Sequence, residues 1–391
     1  MVTRRRMLKI STVGATTLAA SAAPRLVFAD VPTERRFVLV MLRGGMDGLS
    51  VVPAFGDPDF VRARGGLAVP PPGENGGALA LDGFFGLHPE LTGLKRTYDA
   101  KQLVAVHATC VAYHGRSHFE AQNVVENGSP VPYGSKTGWL NRALTGLQER
   151  AGDIGIAITP SMPVAMRGPA RVTSWSPSVL PEPAHDMVDR VAGMYSTDGA
   201  LADALQRARA AHDRSMATSG SALRALTTAA GRFLVRPDGP RVAFLELGGW
   251  DTHAAQGLTQ GALFRNLREL DAALVALQEA LGAHWNDTAV VVVTEFGRTV
   301  AMNGTQGTDH GTGGVAFLLG GAVAGGRVVA DWPGLSHNAL LDGRDLRPTT
   351  DLRALFKGVL VEHLAVADRH VEDVVFPESR DVLPLRGLVH A

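Results

Sequence analysis

Four stretches of the chain carry carboxylates or imidazoles at spacings that could hold a cation. Asp47 stands in Leu42-Arg43-Gly44-Gly45-Met46-Asp47-Gly48, and Asp251 and His253 in Gly248-Gly249-Trp250-Asp251-Thr252-His253. Glu295 directly follows the apolar run Val290-Val291-Val292-Val293-Thr294, and Asp309 and His310 open Asp309-His310-Gly311-Thr312-Gly313-Gly314. Carboxylates mixed with imidazoles are the ligand set of Zn or Mn rather than of Ca, so the expected cofactor is one or two such divalent ions. Taken singly, each stretch is weak: an Asp after a strand is often a turn residue or helix cap, a lone His is usually a satisfied side chain, and Glu295 could simply pair with Arg298. Asp251 and His253, two residues apart, share a face only if the strand continues through them. The case rests on all four stretches lying at one edge of one sheet.

A fifth segment, His114-Gly115-Arg116-Ser117-His118-Phe119-Glu120, reads as the opening of a helix. Ser117 with Glu120 fits a capping box, the hydroxyl at N-cap and the carboxylate at N3. The same placement would suit a nucleophile, because a hydroxyl at a helix N-terminus feels the positive end of the dipole and a nearby metal would lower its pKa. Arg116, Arg43 and Arg298 are candidate clamps for an oxyanion, although any one Arg is as readily a surface residue. An esterase pairing Ser117 with His114 is a further reading, and no Gly-x-Ser-x-Gly elbow accompanies it.

These residues need elements to carry them. Short, nearly continuous apolar runs at Phe37–Leu42, Leu103–Thr109, Ile154–Thr159, Val242–Leu247, Ala289–Thr294 and Val315–Leu319 predict strands covered on both faces, hence a mostly parallel sheet. Leu263, Leu267, Leu270, Leu274, Leu277 and Leu281 step by fours and threes along one face of a helix from about Thr259 to Gly282. Further helices are expected over Ala200–Phe233 and Asp351–Leu364. Asp57–Gly86 and Thr159–Pro183 are rich in Pro, Gly or Ser and read as surface insertions, the second region extending to about residue 200. Gly320-Gly321-Ala322-Val323-Ala324-Gly325-Gly326 is followed by a strand-like run rather than a helix, so it reads as a hairpin and not as a dinucleotide loop.

The chain has 391 residues, with 38 Lys+Arg against 38 Asp+Glu, 45% hydrophobic residues and one Cys. That balance excludes disordered, collagen-like and disulfide-stapled proteins and predicts one large globular domain over residues 30–391. Residues 1–29 hold Arg4, Arg5, Arg6, Lys9 and Arg25 and no acid, which leaves 33 basic against 38 acidic groups beyond them. A remainder with five excess acids does not suit a nucleic-acid partner. A basic head, a short apolar middle and a small-residue exit at Val27-Phe28-Ala29 read as a signal peptide of the twin-arginine class. The expected location is therefore periplasmic or extracellular, with the twin-arginine machinery as a partner during export. No run reaches the ~20 apolar residues of a membrane span, and Cys110 reads as a buried core thiol.

Arg43-Gly44-Gly45-Met46-Asp47-Gly48, Ser117-His118-Phe119-Glu120-Ala121-Gln122, Gly248-Gly249-Trp250-Asp251-Thr252-His253, Thr294-Glu295-Phe296-Gly297-Arg298-Thr299 and Asp309-His310-Gly311, together with the signal segment, resemble the exported bacterial family called domain of unknown function 1501. The resemblance spans nearly the whole chain. It implies a three-layer α/β sandwich of the alkaline phosphatase and sulfatase superfamily, whose members hold two metal ions at the C-terminal edge of a parallel sheet. By that resemblance Asp47 is the acid after the first strand that binds one metal, Ser117 the nucleophile, Asp251 and His253 ligands of the other metal, and His310 the last metal histidine. Asp251 and His253 are spaced by two where the superfamily spaces its pair by four. Glu295 and Phe296 fall where it has Asp and His; a phenylalanine cannot ligate, and Asp309 or His118 would replace it. The implied activity is metal-dependent hydrolysis of a phosphate or sulfate ester, of small-molecule or polymer type, with Ser117 attacking and Arg116 and His118 assisting. A non-catalytic exported binding protein with a degenerate metal site is the alternative.

Overall fold

In the computed structural model, residues 34–147, 154–177, 185–195, 197–214 and 222–390 are described. The signal segment expected over residues 1–29 lies outside them. Nine strands form one sheet: β1 (Arg36–Leu42), β2 (Leu103–Cys110), β3 (Gly155–Ile158), β4 (Val172–Ser174), β5 (Val242–Leu247), β6 (Thr288–Thr294), β7 (Gly314–Leu319), β8 (Arg327–Val329) and β9 (Thr350–Asp351). Their order is β8-β2-β7-β6-β1-β5-β3-β4, with β9 paired to β2. All pairings are parallel except those of β7, which runs antiparallel to both β2 and β6.

Alternation along β1 shows why its apolar run is continuous. Val38, Val40 and Leu42 enter one buried cluster with α1 (Thr92–Asp99), α6 (Ala222–Leu234) and α7 (Ala262–Leu281). Phe37, Leu39 and Met41 enter the other with α2 (His118–Asn127), α3 (Trp139–Leu144) and α8 (Leu352–Glu362). Helices thus cover both faces, and the molecule is a three-layer α/β sandwich around a mostly parallel, mixed sheet. The six leucines of the α7 stripe are all buried, and at about 2 kcal/mol for each buried side chain they anchor one outer layer to the sheet.

Two further helices are α4 (His185–Tyr195) and α5 (Gly199–Arg214). Of the helix expected over Ala200–Phe233, the described residues show α5 and α6, and residues 215–221 lie outside them. The Gly-rich stretch after β7 does not make a hairpin. β2 lies between β7 and β8, so the connection steps over a strand instead of joining neighbours. Nor is Asp57–Gly86 merely superficial: Phe60, Arg64, Leu67, Val69, Leu81 and Phe85 in it are buried. Cys110 is half-buried rather than a core residue, and burial pushes its thiol up to about 12, so it is unreactive at neutral pH.

Register aligns the loops that matter. Leu42 pairs with Leu247 on one side and Thr294 on the other, so β1, β5 and β6 end together. β7 runs the opposite way, which brings the segment preceding Gly314 to that same edge; Thr109 of β2 pairs with Gly314 there. Among the described residues no helix is long and apolar enough to cross a membrane.

Candidate metal centre

Asp251, His253 and His310 meet His118 beyond this edge. His253 Nε2 lies 3.0 Å and His310 Nε2 3.3 Å from Asp251 Oδ1, and His118 Nε2 lies 3.4 Å from Asp251 Oδ2. Donor atoms of His118, Asp251 and His310 all fall within 4.8 Å of one another. His253 adjoins them through His310, with the two Nε2 atoms 2.9 Å apart.

The opposite nitrogen of each ring faces an oxygen that can only accept. His118 Nδ1 donates to Glu295 Oε1 at 2.8 Å, His253 Nδ1 to Asp309 Oδ1 at 3.1 Å, and His310 Nδ1 to the Arg116 carbonyl at 2.9 Å. Each Nδ1 therefore carries a proton, so in its neutral form each ring would turn an Nε2 lone pair toward Asp251. Two lone pairs 2.9 Å apart repel unless a cation or a proton stands between them. His118 Nε2, moreover, is buried with no hydrogen-bond partner. Oxygen acceptors behind imidazoles whose other nitrogens converge are the outer-shell pattern of metal-binding histidines, so the donor set fits a divalent ion of the Zn or Mn type.

The local electrostatics are tuned the same way. Burial raises the pKa of Asp251, but the hydrogen bond and charge of Arg298, 2.7 Å away, outweigh it and hold the carboxylate ionised. The hydrogen bond to Glu295 raises the pKa of His118, while burial lowers that of His310. Arg298 itself is fully buried and also donates to Thr308 and to the Gly44 carbonyl.

Several residues stand elsewhere than the sequence implied. Asp47 is not in the cluster: its Oδ2 accepts from Arg64 Nη2 at 2.5 Å, Gln256 Nε2 at 2.6 Å and Ser50 Oγ at 2.7 Å, all buried. Burial raises the Asp47 pKa and the Arg64 charge, with these hydrogen bonds, lowers it by more. Glu295, fully buried, offers no face to a metal, because it accepts from His118, Gln122 Nε2, the Gly44 amide and Thr294 Oγ1; its place is behind His118. Asp309 likewise stands behind His253 and also accepts from Asn303.

Arg116 is tied to Asp345 at 2.7 Å and Asp342 at 3.3 Å, and Arg43 to Glu126 and Glu246, so neither guanidinium is a free clamp. The backbone of Arg116, at φ 57°, contributes through its carbonyl instead. Ser117 is the N-cap of α2, directly before His118, but its side chain makes no capping bond, and Glu120 accepts from Tyr113. The capping box is not formed. His114 is exposed. Phe296 walls the cluster, its ring 4.8 Å from that of His118 and 5.1 Å from that of His310. Gln122 is a site residue the sequence reading did not single out. Its spacing of four from His118 on α2 puts both on one helix face, which is the signal that would have found it.

No curated protein matches the chain. Among solved structures it is similar to the C-terminal periplasmic domain of EcEptC from Escherichia coli in complex with Zn, at 12% identity and TM-score 0.36 over 74% of this chain and 73% of that one. It is similar also to a phosphonate monoester hydrolase of Agrobacterium radiobacter, at 13% identity and TM-score 0.38 over 85% and 74%, and to the lipoteichoic acid synthase LtaP from Listeria monocytogenes, at 10% identity and TM-score 0.33 over 77% and 67%. At these levels no residue role carries across from them. Residues 108–375, which hold every histidine of the cluster together with Asp251, match the family model described as protein of unknown function DUF1501, and the chain belongs to that family.

Proposed function

We propose that this is an exported metal-dependent hydrolase of phosphate or sulfate esters. The observation that carries the reading is the convergence of three imidazole Nε2 atoms on one ionised carboxylate, each ring turned by an oxygen behind it. His118, His253, His310 and Asp251 would hold the ion, which when bound supplies Lewis acidity to an ester oxygen and lowers the pKa of a nearby hydroxyl. Glu295, Asp309 and the Arg116 carbonyl keep the rings in the ligating tautomer. Arg298 keeps Asp251 ionised and adds a positive charge beside the site. Ser117, with no capping bond and adjacent in sequence to His118, is the hydroxyl assigned to attack. Asp251, His253 and His310 are partly exposed, so a substrate can reach the cluster. Export rests on the basic, then apolar, then small-residue order of residues 1–29.

A second reading keeps the ion but not the turnover. It is favoured by Phe296, whose apolar ring lies against His118 and His310. One experiment separates the two: metal-loaded protein is assayed on a panel of aryl phosphate and sulfate esters beside Ser117→Ala and His310→Ala. The hydrolase reading expects turnover in the wild type, a fall of at least about 100-fold in both variants, and metal retained only in Ser117→Ala. Metal binding without turnover on any ester would instead support the binding module.

A further inference from the structure

The buried ion pair beside the cluster bears on how many ions the site takes. Arg64 and Asp47 are both essentially inaccessible, and the Asp47 carboxylate that could have met a metal is engaged by a cation the chain itself provides. The guanidinium is fixed from its other side by the Val300 carbonyl at 2.7 Å and the Thr299 carbonyl at 3.3 Å. From Asp47 a buried chain of hydrogen bonds leads to the cluster. Gln256 Nε2 donates to Asp47 while its Oε1 accepts from Thr308 Oγ1 at 2.7 Å; Thr308 Oγ1 accepts from Arg298 Nε at 3.2 Å; and Arg298 Nη1 donates to Asp251 at 2.7 Å.

Charge completes the argument. Among the described residues around the histidines, Arg344, which donates to the His310 carbonyl, and Arg116 are matched by Asp345 and Asp342, which leaves Asp251, Glu295 and Asp309 against Arg298, an excess of two negative charges that one divalent ion neutralises. At the other end Asp47 and Arg64 already cancel, and a buried carboxylate with its charge met by a tethered guanidinium has none left for a divalent ion.

We propose that Arg64 takes the place of a second metal ion at Asp47, so that the centre holds a single ion and Arg64 acts as a positioning residue for Arg298 and Asp251. This rests on the metal reading above and goes beyond it in fixing the stoichiometry. It also departs from what the family resemblance implies, two ions with Asp47 as a ligand.

Equilibrium dialysis of the full chain against Zn2+ or Mn2+, read by elemental mass spectrometry, tests it. The wild type and Asp47→Asn are expected to bind a single ion alike, and Arg64→Ala to gain a second, weaker ion. That second ion should disappear in Arg64→Ala combined with Asp47→Asn, and methylguanidinium added to Arg64→Ala should displace it. A second ion in the wild type that Asp47→Asn removes would overturn the inference alone, as would an Arg64→Ala protein with native circular dichroism and no added ion. Should Arg64→Ala fail to fold, the Asp47→Asn comparison still decides. No ion in the wild type would overturn the metal reading and this inference with it.

Discussion

Three histidines in the cluster are turned by three different kinds of neighbour: a buried glutamate, an exposed aspartate and a backbone carbonyl. The difference gives a test free of folding effects. Asp309 is 55% exposed, so Asp309→Ala should leave the urea midpoint almost unmoved while releasing His253 and weakening metal affinity about 10-fold or more, measured by competition with a chelator. Unchanged affinity would mean that His253 is not a ligand. The meeting of these segments was largely legible in the sequence, because Asp251 and His253 follow one apolar strand and His310 precedes another. What was not legible was which carboxylates face the cluster and which stand behind its imidazoles. Glu295 and Asp47 read identically as acids after strands, and only the partners brought by α2 and by the segment Phe60–Arg64 separate their roles.

Strand register does the positioning at the next scale. Leu42, Leu247 and Thr294 end side by side, so three loops leave the sheet at one height. The first turns sharply: Gly44 has φ 126°, and a Cβ there would lie 2.4 Å from the Asp251 amide nitrogen. Gly44→Ala is expected to cost about 1–3 kcal/mol in urea unfolding and to lower metal affinity, because the only relief is to move the Asp251 loop. An Ala variant with wild-type stability and metal content would show that this close approach is not required. In α7, Leu277→Ala should cost about 2–5 kcal/mol without changing metal affinity, since it removes fully buried packing about three turns beyond Asn266, the α7 residue that donates to the Gly249 carbonyl. Continuous apolar runs and the leucine stripe made these strands and α7 readable. The antiparallel β7 was not, since a fully buried run carries no sign of its direction, and neither was the placement of β8 beyond β2, which is settled by long-range pairing.

Over the whole molecule, three buried histidines set a pH response separate from the metal cluster. Burial lowers His88, His107 and His363 from 6.5 to about 4. His88 donates from Nε2 to the Leu258 carbonyl, His107 to that of Val52 and His363 to that of Arg36. Above pH 6.5 these rings are neutral in both states and cost nothing. Between 6.5 and about 4 the unfolded chain takes up protons that the folded chain refuses, so stability falls as pH drops through that window, by up to roughly 3 kcal/mol per ring. The urea midpoint should therefore decrease from pH 7 to pH 5, and less steeply in His363→Gln; equal slopes would show that His363 is protonated in the fold. The three-layer arrangement was readable from alternating strands and helices, but these histidines were not, because nothing in a sequence distinguishes a buried neutral ring from an exposed one.

The most direct measurement of the central claim is anomalous diffraction at the zinc edge from crystals grown with the metal. The expected result is one peak, bonded to Asp251 and to Nε2 atoms of His118, His253 and His310, with Arg64 still paired to Asp47. A peak on Asp47, or density showing the three imidazoles directed away from any ion in metal-saturated crystals, would contradict it.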